Sequence, residues 1–371
     1  MNIGVINESC KIENRAGLTP SSVSVLTEKG HAVYVQAGAG LKAGYTNEEY
    51  SSQGARIVFT KEEVFGRSDI VVNISPLNEE ECRMVKNDQV LFGFHHLAVS
   101  RKKNIEELLK KNVIIIGYEI VQEDDGELPF IESLSEVAGQ MCLVISGHYL
   151  QTSQGGRGIV LGGVVSVPPA TAVIIGSGVL ARSAMKAMLG AGAHTIVLGR
   201  YMDRLRELEE ITSGRVITLI ASKYNLERMT RVADILIGAV LRPGERAPIM
   251  ITREMVKSMK KGAVIIDLAI DQGGCIETSR LTTLEQPTFV EEGVVHYCVP
   301  NITSAVSRTS TKVLSNLVIP YLLEIGDMGV EEALEKNKPL ARGVYLYRGN
   351  FAKRKIAERF QMDYKEIFAE K

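Results

Sequence analysis

Three places in this chain set ionisable or forked side chains where short apolar runs end. Arg15 stands in the loop after the run at 2–6. Its planar guanidinium suits a small carboxylate, because two N–H groups can meet two oxygens at once. The bland alternative is a surface arginine. Phe94-His95-His96-Leu97 follows the run at 90–92. Histidine gives or takes a proton near neutral pH, and two adjacent side chains at a strand end diverge, so one of the pair is expected to face a site. A hydrogen-bonded structural histidine is the alternative for either one. Asp271 lies just past the run at 263–267 and ahead of a glycine pair, where a carboxylate is exposed at a sheet edge. Asp267, nearer the strand, reads as structural. Asn301 follows the strand-like run at 296–298, in a position to bridge a cofactor and a substrate.

The element that must position these groups is the stretch 172–200. Residues 172–175 form an apolar, β-branched run, as in a strand buried on both faces. Gly176-Ser177-Gly178-Val179-Leu180-Ala181 follows, and a helical pattern continues to Leu189 before a second strand at 195–198. This is a G-x-G-x-x-A turn between strand and helix inside a βαβ unit. Gly176 permits the tight turn, Gly178 lets a diphosphate approach the backbone, and Ala181 lets helix and strand pack closely. The helix start adds unpaired N–H groups and partial positive charge. NAD-selective turns of this kind place an acid about twenty residues on. Here the second strand ends Leu198-Gly199-Arg200 instead. Arg200, with Arg204, could fork onto a 2′-phosphate, so NADP(H) is favoured and NAD(H) remains possible.

Composition narrows the class. The 371 residues suffice for two domains. A formal net charge of −1 and 23% charged residues advertise no nucleic acid or anionic membrane. The opening residues lack a basic, then long apolar, leader, and no run is long enough to span a bilayer. Five cysteines without C-x-x-C spacing fit neither a zinc site nor a disulfide framework, and no metal is expected. A cytoplasmic protein is the expectation.

Strand-like runs at 2–6, 31–36, 56–58, 69–74, 89–92 and 113–118 alternate with helical segments, and Thr19-Pro20 reads as the N-cap and first residue of a helix over 21–29. A long helix is expected to start near Ser135. Runs at 216–220, 233–238, 263–267 and 296–298 add to the two at 172–175 and 195–198, making six strands of a dinucleotide-binding domain. An amphipathic helix at 310–323 leads back. The expected fold is α/β with two Rossmann-like doubly wound domains and an interdomain cleft. The first is discontinuous, residues 1–133 plus 306–371 (substrate and catalysis); the second is 134–305 (dinucleotide).

The chain resembles the alanine dehydrogenases, relatives of the NAD-binding part of proton-translocating transhydrogenase, from end to end. The resemblance is carried by Asn14-Arg15-Ala-Gly-Leu-Thr-Pro20, Gln36-Ala-Gly-Ala-Gly40, His96-Leu-Ala98, Tyr118-Glu119 and Leu134-Ser-Glu-Val-Ala-Gly139. It continues in Gln154-Gly-Gly-Arg-Gly158, Gly238-Ala-Val-Leu-Arg-Pro-Gly244, Asp267-Leu-Ala-Ile-Asp-Gln-Gly-Gly-Cys275 and Thr309-Ser-Thr311. It implies a dehydrogenase that interconverts an L-amino acid with a 2-oxo acid and ammonia. By position, Arg15 would hold the substrate carboxylate and His96 and Asp271 would be the catalytic pair. Ser135, Asn301, the 176–181 turn and Ala239, Val240 and Leu241 would meet the cofactor. The family also implies a homo-oligomer, commonly a hexamer, with a dimer the alternative.

Two departures stand out. After the strand at 69–72 the family carries a substrate-gripping lysine, whereas this chain reads Asn73-Ile-Ser75-Pro76. Ser75 then lines the substrate site in its place, and Lys102 or Lys103 could substitute from a neighbouring loop. The second departure is the missing acid at Gly199-Arg200. Together they point to an NADPH-preferring enzyme for the C–N bond of a different amino acid, 2-oxo acid or imine. A true NAD-dependent L-alanine dehydrogenase and a non-catalytic nucleotide-binding relative are the alternatives.

Overall fold

Ile-Val-Val at 70–72, Ile-Ile-Ile at 114–116 and Val-Ile-Ile at 264–266 place apolar side chains at successive positions, so both faces of each strand must be covered. A parallel sheet with helices on both sides does this. The structure, a computed structural model, describes residues 1–10, 12–240 and 246–367. Those three runs are wholly buried in it. The chain divides into one unit of Met1–Ser133 with Val306–Lys371 and another of Leu134–Ala305.

The first unit opens with β1 (Asn2–Val5), β2 (Ala32–Gln36), β3 (Arg56–Val58), β4 (Ile70–Asn73), β5 (Val90–Gly93) and β6 (Ile114–Gly117). Between them run α1 (Pro20–Glu28), α2 (Asn47–Ser52), α3 (Lys61–Arg67), α4 (Glu79–Met84) and α5 (Lys102–Lys110). The helix starts are set by local chemistry. Thr19 accepts from the Ser22 amide with Pro20 at the first helical position. Thr46, Thr60 and Asn78 form capping boxes with Glu49, Glu63 and Glu81.

The long helix α6 (Pro129–Tyr149) starts earlier than the sequence suggested. Pro129 has no N–H to leave unsatisfied at the first turn, so the helix begins there and Ser135 lies inside it. The second unit then follows with β7 (Thr171–Ile175), α7 (Val179–Gly190), β8 (His194–Gly199), α8 (Met202–Ile211), β9 (Ile217–Ile220), α9 (Lys223–Val232), β10 (Ile235–Gly238), α10 (Arg253–Lys257), β11 (Val264–Asp267), β12 (Thr288–Glu291) and β13 (Val294–Tyr297). The chain returns to the first unit through α11 (Ser307–Met328), α12 (Val330–Lys336), α13 (Lys338–Arg342), β14 (Val344–Tyr347), β15 (Asn350–Phe351) and α14 (Arg354–Phe360).

Both sheets have the doubly wound order. In the first unit it is β15-β14-β6-β5-β4-β1-β2-β3, and in the second β12-β13-β11-β10-β7-β8-β9. All neighbours are parallel except the edge pairs β12–β13, β14–β15 and β14–β6. The winding direction reverses between β1 and β4 in one unit, and between β7 and β10 in the other. Such a reversal opens a crevice at the C-terminal strand ends, where ligands of open α/β sheets bind.

Candidate functional site

In the second unit the reversal point is made by Gly176-Ser177-Gly178 after β7 and Ala239 after β10. Gly176 has φ +130°, and a Cβ there would lie 2.2 Å from the Ala239 carbonyl oxygen. Only glycine allows that approach. A Cβ on Gly178 would meet nothing within 4 Å, so this side of the turn is open. Gly178 caps α7 without a side-chain hydrogen bond, and the first turn of α7 holds no acid. Its leading N–H groups and positive end are thus available to an anion. Ala181 is fully buried, while Val179, Leu180, Ala239 and Val240 are half-buried. Leu241 lies outside the described residues. These residues fit a diphosphate.

Gly199 ends β8 next to this turn. A Cβ on it would come within 2.8 Å of Leu205 Cδ2 and 2.9 Å of Ser177 Cβ. Arg200 is exposed, and the Arg204 guanidinium lies 5.7 Å from the Tyr201 ring centre. Ser135 sits where α6 crosses α7: the Ser183 hydroxyl donates to the Glu136 carbonyl at 2.6 Å. A Cβ on Gly139 would be 2.5 Å from Ser183 Cβ.

Asp271 is exposed on the 3₁₀ turn Ile270–Gln272 after β11. One of its oxygens accepts the Asn301 amide at 3.4 Å, so these two candidates are brought together. Asn301 holds φ +50°, and its side-chain oxygen accepts from Thr303 at 3.1 Å. Asp267 anchors the loop that carries Asp271. Fully buried, it accepts the amides of Ala269 at 3.1 Å, Cys275 at 3.0 Å and Ile276 at 3.3 Å. Burial raises its pKa, and those bonds oppose the rise.

In the first unit Arg15 is buried, not on the surface. Its Nε and Nη2 donate to Glu13 at 2.7 and 2.6 Å, with side-chain exposures of 5% and 3%. The one local signal for Glu13 in the sequence is its i,i+2 spacing from Arg15. The Arg15 guanidinium stands 5.9 Å from the Phe94 ring centre, and Phe94 stacks on His96 at 5.8 Å. His96 is half exposed and has φ +44°. Its amide donates to Glu119 at 2.5 Å, and its Nδ1 is 3.6 Å from the same oxygen. Glu119 also accepts from Tyr345 at 3.0 Å. His95 is buried, and burial pushes its pKa down to about 3. Of the two histidines, His96 therefore faces solvent.

Ser75 follows β4. Its amide donates to Glu8 at 3.0 Å, beside the Ile74 amide at 2.6 Å, and its carbonyl accepts from Asn73 Nδ2 at 2.8 Å. Burial lifts the Glu8 pKa to about 7 against the pull of those two amides. No local signal in the sequence marks Glu8, since its partners are 66 and 67 residues away. Of the two proposed replacement lysines, Lys103 pairs with Glu79 at 2.6 Å and Lys102 is exposed on α5. Lys61 instead enters the region, bonded to Ser9 and Glu81. Lys42 donates to the Glu13 carbonyl at 3.0 Å. Among the described residues no group of three or more His, Cys, Asp or Glu could hold a metal ion, and no single helix is long and apolar enough to cross a membrane.

Two doubly wound units, one with a glycine-rich turn at its reversal point that fits a diphosphate and each with ionisable groups at the C-terminal strand ends, give the chain a Rossmann-type fold. Comparisons with known proteins narrow that class. Residues 4–138 match the family "Alanine dehydrogenase/PNT, N-terminal domain" and residues 142–354 match "Alanine dehydrogenase/PNT, C-terminal domain". The chain is 41% identical over 368 residues to "Alanine dehydrogenase 2" of Staphylococcus aureus (strain USA300), covering 99% of this chain and 98% of that protein. A solved L-alanine dehydrogenase superposes with TM-score 0.93 and 37% identity, over 97% of this chain and 99% of that one. A transhydrogenase structure from Sinorhizobium meliloti, 19% identical with TM-score 0.82 over 95% of this chain and 100% of that one, shares the fold. The chain belongs to the alanine dehydrogenase/PNT family.

Proposed function

We propose that this protein is an NADP(H)-preferring oxidoreductase acting on the C–N bond of an amino acid or imine, with a substrate other than alanine or pyruvate. The observation that carries the cofactor preference is the end of β8. No carboxylate stands there, a side chain at Gly199 would run into Ser177 and Leu205, and the exposed Arg200 and Arg204 follow. A carboxylate at this point takes ribose hydroxyls and repels a 2′-phosphate, whereas a guanidinium forks onto the phosphate. Gly176, Ser177, Gly178, Val179, Leu180 and Ala181 hold the diphosphate, with Ser135, Ala239, Val240, Leu241 and Asn301 as further contacts.

When bound, the nicotinamide supplies a hydride acceptor or donor for the substrate carbon. The chain's own residues do the rest. Arg15 orients the substrate carboxylate, with Ser75 and Asn301 beside the substrate. His96 polarises the carbonyl or imine, and Asp271 takes a proton from the attacking water or the amine. Altered substrate choice is supported by Ser75, which brings no cation to the end of β4. The reading includes a cytoplasmic homo-oligomer, a hexamer or a dimer.

Fluorescence titration with NADPH and NADH, in the parent and in Arg200→Ala, tests it. Loss of charge-assisted bonds of this kind is worth about tenfold or more. NADPH binding should fall by that factor and NADH binding by far less; equal losses would overturn the 2′-phosphate role. A second reading, an NAD-dependent alanine dehydrogenase, is favoured by the 41% identity to alanine dehydrogenase 2. Tighter NADH binding, with L-alanine the best substrate, would select it.

A further inference from the structure

We propose that the reversal point of the first unit is a subsite for a protonated amine on the substrate side chain, formed by Glu8, Asn73 and Tyr118. This rests on the reading of the protein as an amino-acid oxidoreductase and names the class of amino acid it takes.

The position is the crevice at the C-terminal ends of β1 and β4, the place a doubly wound sheet offers to a ligand. Glu8, in the loop after β1, spans it. Its two oxygens accept the amides of Ile74 and Ser75 just past β4, which fixes the carboxylate across the reversal. Glu8 as a whole residue is half-buried. The largest charge effects on it come from two other carboxylates, Glu13 and Glu81. Each of these is already engaged, Glu13 by Arg15 and Glu81 by Lys61.

Two fully buried polar groups point to what is missing. Asn73 donates its amide nitrogen to the Ser75 carbonyl, but its Oδ1 has no hydrogen-bond partner among the described residues. The Tyr118 hydroxyl has none either, and the charge that its phenol feels is that of Glu8. The Tyr118 ring is held by Phe130 at 4.2 Å, Phe92 at 4.9 Å and Phe94 at 5.2 Å, so the hydroxyl cannot swing out to water. Buried polar atoms are nearly always satisfied. Here the unmet groups are an amide oxygen, which only accepts, and a phenol, which accepts as well as donates, beside a carboxylate whose oxygens keep lone pairs beyond the two amides they already accept. A second carboxylate would bring no donor to Asn73 Oδ1 and would be repelled by Glu8, Glu13 and Glu81. An ammonium offers three donors and a positive charge, one for each acceptor. Ser75 supplies no such group from the chain itself.

The test compares ligands of equal shape that differ in charge. L-2,4-diaminobutyrate is matched with L-norvaline, and L-ornithine with L-norleucine, by calorimetric binding to the full chain and by initial rates with NADP⁺ and NAD⁺. A charge-assisted hydrogen-bonded contact of this kind predicts at least about tenfold preference for one diamino acid over its isostere. That ratio should collapse towards 1 in Glu8→Gln and fall partway in Tyr118→Phe, which keeps the packed ring. A ratio of 1 or below in the parent, or one that survives both substitutions, overturns the subsite. Selective binding of a diamino acid without turnover would uphold the subsite and overturn the oxidoreductase reading. Turnover of L-norvaline or L-alanine without charge preference would do the reverse.

Discussion

His96 holds a left-handed backbone at φ +44°, a conformation that costs a non-glycine residue of order 1 kcal/mol or more and persists where surroundings enforce it. The enforcement comes from Glu119, which takes the His96 amide and lies within reach of its ring. Strain held by a dedicated carboxylate is expected for a group that must aim its ring, and general acid–base catalysis is worth roughly 10²–10⁴-fold. His96→Gln and Asp271→Asn should each lower kcat by about that factor while leaving the unfolding midpoint close to the parent's. Steady-state rates and urea melts on the same preparations decide it; a His96 variant with parental kcat would remove the residue from the mechanism. Glu8 gives a second prediction, with the opposite sign from an ordinary salt-bridged acid. Burial raises its pKa from 4.5 to about 7, so the folded state holds the proton more tightly than the unfolded one. The stability this contributes is complete below pH 4.5 and lost as pH rises through 7. A shift of that size is worth on the order of 3 kcal/mol. The drop in unfolding free energy between pH 4.5 and 8 should therefore be smaller in Glu8→Gln, measured by urea titration at each pH. The placement of Arg15, His96 and Asp271 after strand ends is legible because an apolar run followed by a forked or titratable side chain is visible locally. Glu8 and Lys61 are not, because their partners are set by strand order.

The fold asks different things of the two glycines in the 176–181 turn. Gly176 is required by the fold, since a Cβ there would lie 2.2 Å from the Ala239 oxygen at φ +130°. Gly178 is not, because a Cβ there meets nothing within 4 Å. Gly176→Ala should thus lower the thermal midpoint, while Gly178→Ala should melt like the parent and yet bind NADPH and NADH at least about tenfold more weakly, its methyl standing where the diphosphate approaches. Calorimetry and fluorescence titration separate the two; unchanged affinity in Gly178→Ala would move the cofactor away from this turn. That βαβ element was readable because glycine spacing, an apolar run and a helical period all agreed. Three other elements were not. α6 starts at Pro129, six residues before the serine that looked like its beginning, because a proline at a first turn competes well with any cap. β12 is a half-exposed edge strand, Thr-Phe-Val-Glu, and lacks the continuous apolar run that marks its buried neighbours. β14 depends on pairing with β6, more than two hundred residues earlier in the chain, and β15 pairs in turn with β14.

That long-range pairing makes the two units unequal in how the chain completes them. Everything in the second unit's sheet comes from one continuous stretch, Leu134–Ala305. The first unit needs both ends of the chain. Its β6 edge is closed by β14, with the Gly117 amide donating to the Gly343 carbonyl at 2.8 Å. α1 is met by α11 through a buried hydroxyl cluster: the Ser315 hydroxyl accepts the Thr19 amide at 2.9 Å and donates to Ser22 at 2.7 Å. The Ala16 amide also donates to Thr311 at 3.0 Å. Without the C-terminal segment those donors and acceptors lose their partners, and an apolar strand edge and helix face meet water; each buried polar group left unpaired costs about 1–3 kcal/mol. Unpaired edges of that kind also template aggregation. A fragment of residues 1–133 should therefore be insoluble or lack cooperative melting, whereas residues 134–305 should fold alone, melt cooperatively and bind NADPH with an affinity near that of the full chain. Circular dichroism melts and the same fluorescence titration on the two fragments test this. A folded 1–133 fragment would mean that α11 and β14 are ornament on a self-sufficient domain. A 134–305 fragment that folds but binds no dinucleotide would mean that the first unit supplies residues the cofactor cannot do without.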